Sequence, residues 1–331
     1  MKAMLFKSKL EPLVVSEVEN PVPQREEMLI KLEYAALNHL EIWIIQEQVM
    51  EKPVILGADG SGTVVAVGEG LSREWIGKEV IVNPALYWGD NENIQSDKFE
   101  ILGNRTNGTF AGYISVHRDY VYAKPKHLSL KEAAALPLAA LTAYRALFTK
   151  AKLSANEKIL VTGIGGGAAL YLLQIAKAAG ADVYVSSSSQ EKIDKAIVLG
   201  ATKGFNYRNE NWLDDVKKSV GGFDVIVDSA GGNGFSQLTE IANPRARLVL
   251  FGRTAGNINN LQPRMIFNKQ LVIMGTIMGS QKEFGQMISF FEEHRIHPVL
   301  DKEFPLSGIA DAFEYMSKGK HFGKILINTN K

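Results

Sequence analysis

The sequence predicts an α/β protein in which a doubly wound parallel sheet is inserted between two parts of a β-rich domain. The first part of the chain shows the two-residue alternation and the glycine and proline punctuation of strands. From Leu130 onward, short apolar runs alternate with helical patterns, as expected of βαβ units. We therefore predict a β-rich domain formed by residues 1–124 and 280–331, and a parallel-sheet domain formed by residues 125–279.

The β-rich part contains two clear strand patterns and one irregular stretch. Residues 28–35 alternate in hydrophobicity, and residues 60–68 form a strand pattern bounded by glycines. Residues 83–108 are too irregular for a helix or a regular hairpin, and too long for an ordinary connection. We predict that this stretch is an excursion from the domain, held by apolar packing of Trp88, Phe99 and Ile101.

The middle of the chain has the pattern of buried parallel strands between helices. Residues 131–149 have helical spacing. The predicted parallel strands are residues 158–162, 182–186, 223–228, 247–251 and 271–275. After them we predict a helix carrying Phe284 and Met287, a strand near Phe304, a helix over residues 310–316 and a strand over residues 324–327. This last strand is expected to return to the first domain.

The composition limits both the partners and the chemistry. With 331 residues, 46% of them hydrophobic, and a formal net charge of +1, the chain has no broad basic field for nucleic acid or an acidic membrane. No stretch approaches the roughly 18 apolar residues of a membrane-spanning helix, and the start lacks the apolar core of a signal peptide. We therefore expect a soluble, cytoplasmic protein. The absence of cysteine excludes disulfides, thiolate catalysis and cysteine-ligated zinc.

A glycine-rich turn is the most specific chemical signal. It follows the strand pattern of residues 158–162 directly, precedes a helical pattern, and has the form G-x-G-x-x-A. Such a turn lets the backbone approach a pyrophosphate, which the N-terminus of the following helix attracts. The predicted cofactor-binding residues of the turn are Gly163, Gly165, Gly166, Gly167 and Ala168. The alternative is a turn that binds nothing.

The end of the second parallel strand distinguishes between the nicotinamide cofactors. A carboxylate there binds the ribose 2′-hydroxyl of NAD and repels the 2′-phosphate of NADP. Here the strand leads into Ser186, Ser187 and Ser188, and Lys192 follows on the next helix. Because hydroxyls and an ammonium group can bind a phosphate, the sequence favours NADP over NAD. A solvated Lys192 without a ligand is the alternative.

Five segments of the chain form a joint pattern: residues 38–41, 56–64, 134–143, 163–169 and 275–279. Together they resemble the medium-chain dehydrogenase/reductase superfamily, which includes alcohol dehydrogenases and quinone oxidoreductases. The resemblance implies a GroES-like catalytic domain made of both chain ends, a Rossmann domain between them, and a nicotinamide cofactor in the intervening cleft. It also implies a homo-oligomer, and we expect a homodimer formed near residues 271–276.

Several positions depart from the zinc-dependent members of this superfamily. Where those members have a cysteine and a histidine ligand, this chain has Asn38 and Ala58, and Leu40 replaces the proton-relaying serine or threonine. Residues 83–108 resemble the lobe that holds a structural zinc, a lobe that typical quinone reductases lack, but its four cysteines are absent. Because a catalytic zinc needs about three well-placed protein ligands, we predict no metal.

The resemblance also implies roles outside the glycine turn. It places Asn38 and Thr142, the predicted catalytic residues, near the nicotinamide or the acceptor oxygen, and Tyr207 near the adenosine phosphate. The cofactor pocket is further expected to be lined at Leu138, Phe251, Gly252, Ile277 and Met278. The alternatives are that Asn38 caps a turn, that His39 is structural or contacts the cofactor, and that Tyr207 lies at a rim.

These departures favour one reaction. Without a metal to stabilise an alkoxide, alcohol oxidation is poorly supported. Hydrogen-bond donors can stabilise the anion that forms when a quinone or an α,β-unsaturated carbonyl accepts hydride. We therefore predict a zinc-independent, NADPH-dependent reductase of such a small molecule, and we place its specificity loops at residues 42–53 and 257–266. The alternatives are an alcohol or aldehyde dehydrogenase-like oxidoreductase and a cofactor-binding protein with little turnover.

Overall fold

The computed structural model describes residues 1–10 and 13–331. Its contacts divide the chain into two compact units. Unit 1 comprises Met1–Leu141 and Gly279–Lys331, and unit 2 comprises Thr142–Met278. The sequence predicts domain boundaries at residues 124/125 and 279/280, and these boundaries stay a prediction. No helix within residues 1–10 or 13–331 combines the length and the apolar character needed to cross a membrane.

The described residues form strands and helices along the whole chain. The strands are β1 (Lys2–Ser8), β2 (Val14–Glu17), β3 (Glu27–Ala36), β4 (Val49–Ile55), β5 (Asp59–Val67), β6 (Glu79–Val82), β7 (Ala85–Leu86), β8 (Glu100–Ile101), β9 (Tyr113–His117), β10 (Val121–Ala123), β11 (Lys158–Val161), β12 (Asp182–Ser187), β13 (Lys203–Asn206), β14 (Phe223–Asp228), β15 (Ala242–Leu250), β16 (Val272–Gly275), β17 (Leu300–Pro305) and β18 (Lys324–Asn328). The α-helices are α1 (His39–Glu47), α2 (Leu130–Ala133), α3 (Pro137–Tyr144), α4 (Gly167–Ala178), α5 (Gln190–Val198), α6 (Trp212–Ser219), α7 (Gly234–Leu238), α8 (Pro263–Lys269), α9 (Gln281–Glu293) and α10 (Ile309–Ser317). Short 3₁₀ turns lie at Arg73–Trp75, Arg118–Tyr120 and Leu306–Gly308.

Unit 1 is built around a seven-stranded sheet with the order β10-β6-β5-β3-β18-β17, in which β9 also pairs with β3. The last strand, β18, lies antiparallel to β3, with Leu326 opposite Ala36 and Asn328 opposite Tyr34. The predicted return of the chain end to the first part of the chain is therefore confirmed. A second sheet has the order β2-β1-β4.

Unit 2 contains a six-stranded parallel sheet with the order β13-β12-β11-β14-β15-β16. The strand order reverses between β11 and β14, and ligands of doubly wound sheets bind beyond the carboxyl ends of the strands at such a reversal. The short strand β13 was not among the predicted strands. Its sequence, Lys-Gly-Phe-Asn, is too short and too polar for the apolar-run criterion.

Two segments differ from their sequence-based predictions. Residues 131–149, predicted as one helical stretch, form α2, α3 and a π-helical segment at Arg145–Lys150. Residues 42–53, predicted as a loop, instead belong largely to α1 and β4. This prediction was wrong because β4 pairs with β1, with Ile55 opposite Leu5, and a distant strand partner is not visible in the local pattern. In the predicted loop at 257–266, residues 263–266 instead form the first turn of α8.

The excursion of residues 83–108 has an apolar centre. Trp88 is 2% exposed, its ring meets Phe99 edge-on at a centroid distance of 5.4 Å, and its Nε1 donates to the Asn91 carbonyl at 3.1 Å. The two-residue strands β7 and β8 pair at its base, where Ala85 lies opposite Ile101. Aromatic packing and one short ladder thus connect its two ends.

Candidate functional site

The first group of candidate residues surrounds Asn38, which lies in unit 1 between β3 and α1 and is 6% exposed. Its Nδ2 donates to Asp59 Oδ2 at 3.0 Å, and its Oδ1 accepts from Lys324 Nζ at 2.6 Å. A buried amide without partners would be costly, so these two bonds account for its position. Asn38 is also the N-cap of α1, and Glu41 completes the capping box there, so the alternative of a capping role describes part of its surroundings.

Lys324 reaches this site because of the register between β18 and β3. The pair of Leu326 with Ala36 places Lys324, two residues earlier on an antiparallel strand, opposite Asn38. Its ammonium donates to Asn38 Oδ1, to the Leu37 carbonyl at 2.8 Å and to Asp59 Oδ2 at 2.8 Å. The Lys324 side chain is 3% exposed and the Asp59 side chain 0%. Such a buried ion pair is tolerable because hydrogen bonds satisfy both charges.

Asp59 connects three segments of unit 1. Besides accepting from Lys324 and Asn38 at Oδ2, it accepts from the backbone N–H of Leu138 at Oδ1, at 2.7 Å. Thr109 donates its hydroxyl to the Asp59 carbonyl at 2.7 Å. The structure therefore brings together Asn38 and Leu138, two residues that the sequence assigned to the site, through a carboxylate between them.

Glu41 is a second buried carboxyl in the same region. It is 1% exposed, and its two oxygens accept from the backbone N–H groups of Asn38, at 2.7 Å, and Ala58, at 3.1 Å. Loss of solvation, followed by repulsion from Asp59, raises its pKa to about 7, against the opposing effects of Lys324 and the two N–H donors. Glu41 thus fixes the backbone on both sides of the Asn38 site.

His39, in unit 1, and Thr142, the first residue of unit 2, are two further candidates. His39 retains solvent access, yet desolvation of its ring, followed by the Lys324 ammonium, lowers its pKa from 6.5. Its imidazole is therefore mainly neutral at pH 7, so little imidazolium is present to donate a proton. Thr142 is 6% exposed and lies on α3 four residues after Leu138.

The second group of candidate residues is the glycine turn of unit 2. Gly163 and Gly165 have φ angles of 65° and 125°, in a region that side chains disfavour. Gly166 is the N-cap of α4, so the N–H groups of the first helical turn are directed toward this turn. The backbone N–H of Ile164 donates to the Ser186 carbonyl at 2.9 Å, which joins the turn to the end of β12.

Lys192 lies across the glycine turn. A Cβ added to Gly165 would lie 2.7 Å from Lys192 Cδ and 3.1 Å from Lys192 Nζ. Ser186 and Ser187 are buried at the end of β12, and Ser188 follows the strand. The turn, the serines and an ammonium group thus form a cradle that suits phosphate groups, and no carboxylate occupies the end of β12.

A buried aspartate, which sequence analysis did not single out, orders this end of the sheet. Asp228 accepts the Thr162 hydroxyl at Oδ1, at 2.5 Å, and the backbone N–H of Gly231 at Oδ2, at 2.7 Å. It therefore ties the start of the glycine turn to the loop after β14. The only sequence signal was an acidic residue at the end of an otherwise apolar strand.

The remaining predicted cofactor residues of unit 2 follow neighbouring strands at the same edge. Tyr207 is 47% exposed, and its backbone N–H donates to the Ser187 carbonyl at 3.1 Å. Phe251 follows β15, and a Cβ on Gly252 would lie 2.1 Å from the Ser229 carbonyl oxygen. After β16 come Ile277, which is 39% exposed, and Met278, which is 2% exposed with a φ of 42°. The sheet therefore gathers these residues with the glycine turn, although their roles stay a prediction.

The donor set of the Asn38 site does not resemble a zinc site. Ala58 supplies no ligand atom, and both oxygens of Asp59 already accept hydrogen bonds, one of them from an ammonium group. Within residues 1–10 and 13–331, no group of three or more His, Asp or Glu side chains is arranged to hold a metal ion. Lys324 and Glu41 were not among the site residues predicted from the sequence. Their signals were a lysine opening the apolar run of β18 and a glutamate three residues after Asn38.

Two family patterns match the chain. Residues 24–126 match the family described as alcohol dehydrogenase GroES-like domain, and residues 167–293 match the family described as zinc-binding dehydrogenase. Together with the parallel sheet of unit 2, these matches confirm the predicted fold class.

Individual proteins resemble the chain over nearly its whole length. Zinc-type alcohol dehydrogenase-like protein YogA of Leptosphaeria maculans is 36% identical over 345 residues, covering 96% of this chain and 94% of the relative. The quinone oxidoreductase of Mus musculus is 29% identical over 326 residues, covering 94% and 92%. A crystal structure of an NAD-dependent alcohol dehydrogenase has a TM-score of 0.92 at 31% identity, covering 99% of each chain.

Proposed function

This chain belongs to the medium-chain dehydrogenase/reductase superfamily of oxidoreductases, and we propose that it is a zinc-independent, NADPH-dependent reductase of quinones or α,β-unsaturated carbonyls. The observation that carries the proposal is the Asn38 amide, held in a buried network by Asp59 and Lys324. It presents a hydrogen-bond donor where zinc-dependent members of the superfamily have a metal ligand.

Asn38 is suited to stabilise an oxygen that becomes negative. NADPH, when bound, supplies a hydride to the electron-poor carbon of the conjugated acceptor, and the electron pair moves to the carbonyl oxygen. The Asn38 Nδ2 has two hydrogens, of which Asp59 accepts one. We assign the other to the acceptor oxygen, whose enolate or hydroquinone anion it stabilises before water supplies the proton.

The cofactor preference depends on the cradle of unit 2. The ammonium of Lys192 beside Gly165 and the hydroxyls of Ser187 and Ser188 favour a cofactor with an additional phosphate. We expect Lys192→Met to weaken NADPH binding about tenfold and to leave NADH binding nearly unchanged, since about 1.4 kcal/mol corresponds to a factor of ten. Lys195→Met is the matched control, because Lys195 lies on the same helix and pairs with Glu191 at 2.7 Å. Equal losses for both cofactors in Lys192→Met would contradict the assignment of a 2′-phosphate contact.

The whole proposal is tested first on metal-stripped protein. NADPH and NADH are titrated by fluorescence, and oxidation of the bound reduced cofactor is then followed with 1,4-benzoquinone and with a simple enone. Tighter binding of NADPH and turnover without metal would support the reductase. Activity on primary alcohols that appears only after zinc is added would instead identify the alcohol dehydrogenase alternative. Binding of NADPH with no reduction of any acceptor would identify a cofactor-binding protein with little turnover.

The role of Asn38 is tested by Asn38→Ala. We expect kcat to fall about 100-fold with the affinity for NADPH unchanged, as for the loss of one donor to a developing oxyanion. Asn328→Ala is the matched control, because Asn328 is also 6% exposed and also donates from Nδ2 to a carboxylate, Glu303, at 3.0 Å. Equal kcat values for the two variants would show that Asn38 has no specific role in the reaction.

We also propose a homodimer formed at the β16 edge of the sheet. Among the described strands, β16 pairs only with β15, so one of its edges is open to a second chain. Val272 on this strand is 48% exposed, and Phe267, just before it, is 65% exposed. Light scattering coupled to size-exclusion chromatography should give a dimer mass for the wild type and a monomer mass for Val272→Lys. A monomeric wild type would contradict the proposal.

A further inference from the structure

Lys324 bonds directly to the amide that the proposed function uses. We propose that Lys324 is a positioning residue, which fixes the Asn38 amide with its oxygen toward the ammonium so that its nitrogen remains the donor for the acceptor oxygen. The inference rests on the proposed function for the identity of the acceptor. The orientation of the amide itself can be measured without turnover.

The two partners of the Asn38 amide determine its orientation. An ammonium group only donates hydrogen bonds, so the atom 2.6 Å from Lys324 Nζ must be the amide oxygen. A carboxylate accepts, so the atom 3.0 Å from Asp59 Oδ2 must be the amide nitrogen. Rotating the amide by half a turn would place its nitrogen against the Lys324 ammonium and its oxygen against the Asp59 carboxylate, so neither hydrogen bond could form. Hydroxyl groups, which can both donate and accept, would not restrict an asparagine in this way.

The position of the ammonium is itself fixed. Lys324 Nζ donates three bonds, to Asn38 Oδ1, to Asp59 Oδ2 and to the Leu37 carbonyl at 2.8 Å. Its backbone lies in β18, whose register against β3 is set by the pair of Leu326 with Ala36. The backbone position of Lys324 is therefore fixed, its side chain is buried, and all three hydrogens of its ammonium group are engaged in hydrogen bonds.

The charge of Lys324 has a second effect on the reaction. Asp59 Oδ2 accepts from the same Asn38 nitrogen that is assigned to the acceptor, so the carboxylate lies close to the place where negative charge develops. The ammonium at 2.8 Å offsets that charge. Removing the ammonium would therefore take away one of the two bonds that orient the amide and leave the carboxylate to repel the developing anion. Both consequences lower kcat rather than cofactor affinity.

The test uses the full chain labelled with [¹⁵N]asparagine. The side-chain signals of Asn38 are assigned by their loss in Asn38→Ala, and their shifts and exchange with water are compared between wild type and Lys324→Met. Methionine fills the space of the lysine without its charge. We expect two distinct, slowly exchanging protons in the wild type, and fast exchange with shifted resonances in the variant. Unchanged Asn38 signals in Lys324→Met would overturn the proposal.

Kinetics supply the second measurement. We expect kcat of Lys324→Met to fall about 10- to 100-fold with the NADPH dissociation constant unchanged, and methylammonium to restore part of kcat in Lys324→Ala. Lys124→Met is the matched control, since Lys124 is 12% exposed and its ammonium bonds Glu79 at 3.1 Å and the Leu128 carbonyl at 2.5 Å. Wild-type kcat in Lys324→Met would also overturn the proposal, as would a loss that Lys124→Met reproduces.

Two further outcomes remain decisive. If Lys324→Met does not fold, Lys324→Gln replaces it, because the glutamine keeps a donor but not the charge. Asn38 signals and kcat at wild-type values in Lys324→Gln would then show that the charge has no role. If wild-type protein reduces no quinone or enone, the proposed function fails, while the Asn38 signals still decide whether Lys324 sets the amide orientation.

Discussion

Replacing Glu41 with glutamine should change how the stability of the protein responds to pH. Burial, followed by repulsion from Asp59, raises the pKa of this carboxyl from 4.5 to about 7 in the folded protein. In the unfolded chain the same carboxyl is solvated, so its pKa returns to about the reference value of 4.3. Between these values the folded state holds a proton that the unfolded state has lost.

The sign follows from proton linkage. Because the folded state binds more protons between pH 4.5 and about 7, the free energy of unfolding falls as the pH rises through this window and is level above it. One pKa unit corresponds to about 1.36 kcal/mol, so the shift amounts to about 3 kcal/mol. This contribution is fully present below the unfolded pKa and is lost once Glu41 is ionised in both states.

The variant Glu41→Gln has no carboxyl to titrate, so it isolates this effect. Its side chain offers one oxygen where Glu41 offers two, so one of the N–H groups of Asn38 and Ala58 loses its acceptor, at a cost of about 1–3 kcal/mol at every pH. Groups elsewhere cancel in the comparison. The advantage of the wild type over the variant should therefore shrink by about 3 kcal/mol between pH 4.5 and about pH 8.

Urea unfolding of both proteins across this range measures the change. Glu283→Gln shows what the loss of a capping glutamate costs elsewhere in unit 1, since Glu283 accepts the Ser280 N–H at 2.8 Å in the capping box of α9. Carbon NMR of the Glu41 carboxyl should give a midpoint of about 7 directly. A wild-type advantage that is constant with pH, together with a midpoint near 4.5, would refute the reasoning.

Four further substitutions test the cradle and the excursion. Gly165→Ala should abolish detectable cofactor binding in fluorescence titration, because a φ of 125° is one that L side chains rarely adopt and a Cβ would also displace the Lys192 side chain from the turn; retained affinity would show that the turn can shift. Asp228→Ala should lower the free energy of unfolding by about 2–4 kcal/mol in urea, since buried donors lose their acceptor; a loss below about 1 kcal/mol would contradict this. Trp88→Ala should lower the free energy of unfolding by about 3–5 kcal/mol in the same assay, and Phe99→Leu should lower it less. Equal losses in the two variants would show that the stability depends on the contact between the two rings rather than on the burial of Trp88.

The fold could be predicted where the chemical signal was local. The glycine turn needs only a strand, two glycines in the left-handed region and a helix start, and all of these lie within a few residues of Gly163. The apolar runs of β11, β12 and β14 can likewise be recognised as strands, because strands buried on both faces consist mainly of apolar residues. In contrast, β13 has neither length nor apolar continuity, and its assignment depends on pairing with β12.

The centre of the candidate site could not be predicted, because its residues are distant in the chain. Lys324 and Asn38 are separated by 286 positions, and Lys324 and Asp59 by 265. Only the register of β18 against β3 brings them together, and a shift of one residue would direct the lysine to the other face of the sheet. The sequence thus predicted Asn38 as a donor but contained no local sign of what orients it.

The returning strand β18 also completes the charge balance of the site. Residues 38–59 place two buried carboxyls, those of Glu41 and Asp59, in one region, and Lys324 contributes the ammonium that faces them. One ammonium can balance only one carboxylate, so the second carboxyl is easier to bury when it holds a proton. The raised pKa of Glu41 agrees with this charge imbalance. Below about pH 7 Glu41 is protonated, and the side chains of Glu41, Asp59 and Lys324 together carry no net charge. The chain end is therefore needed both to orient the Asn38 amide and to make the burial of Asp59 beside it energetically acceptable.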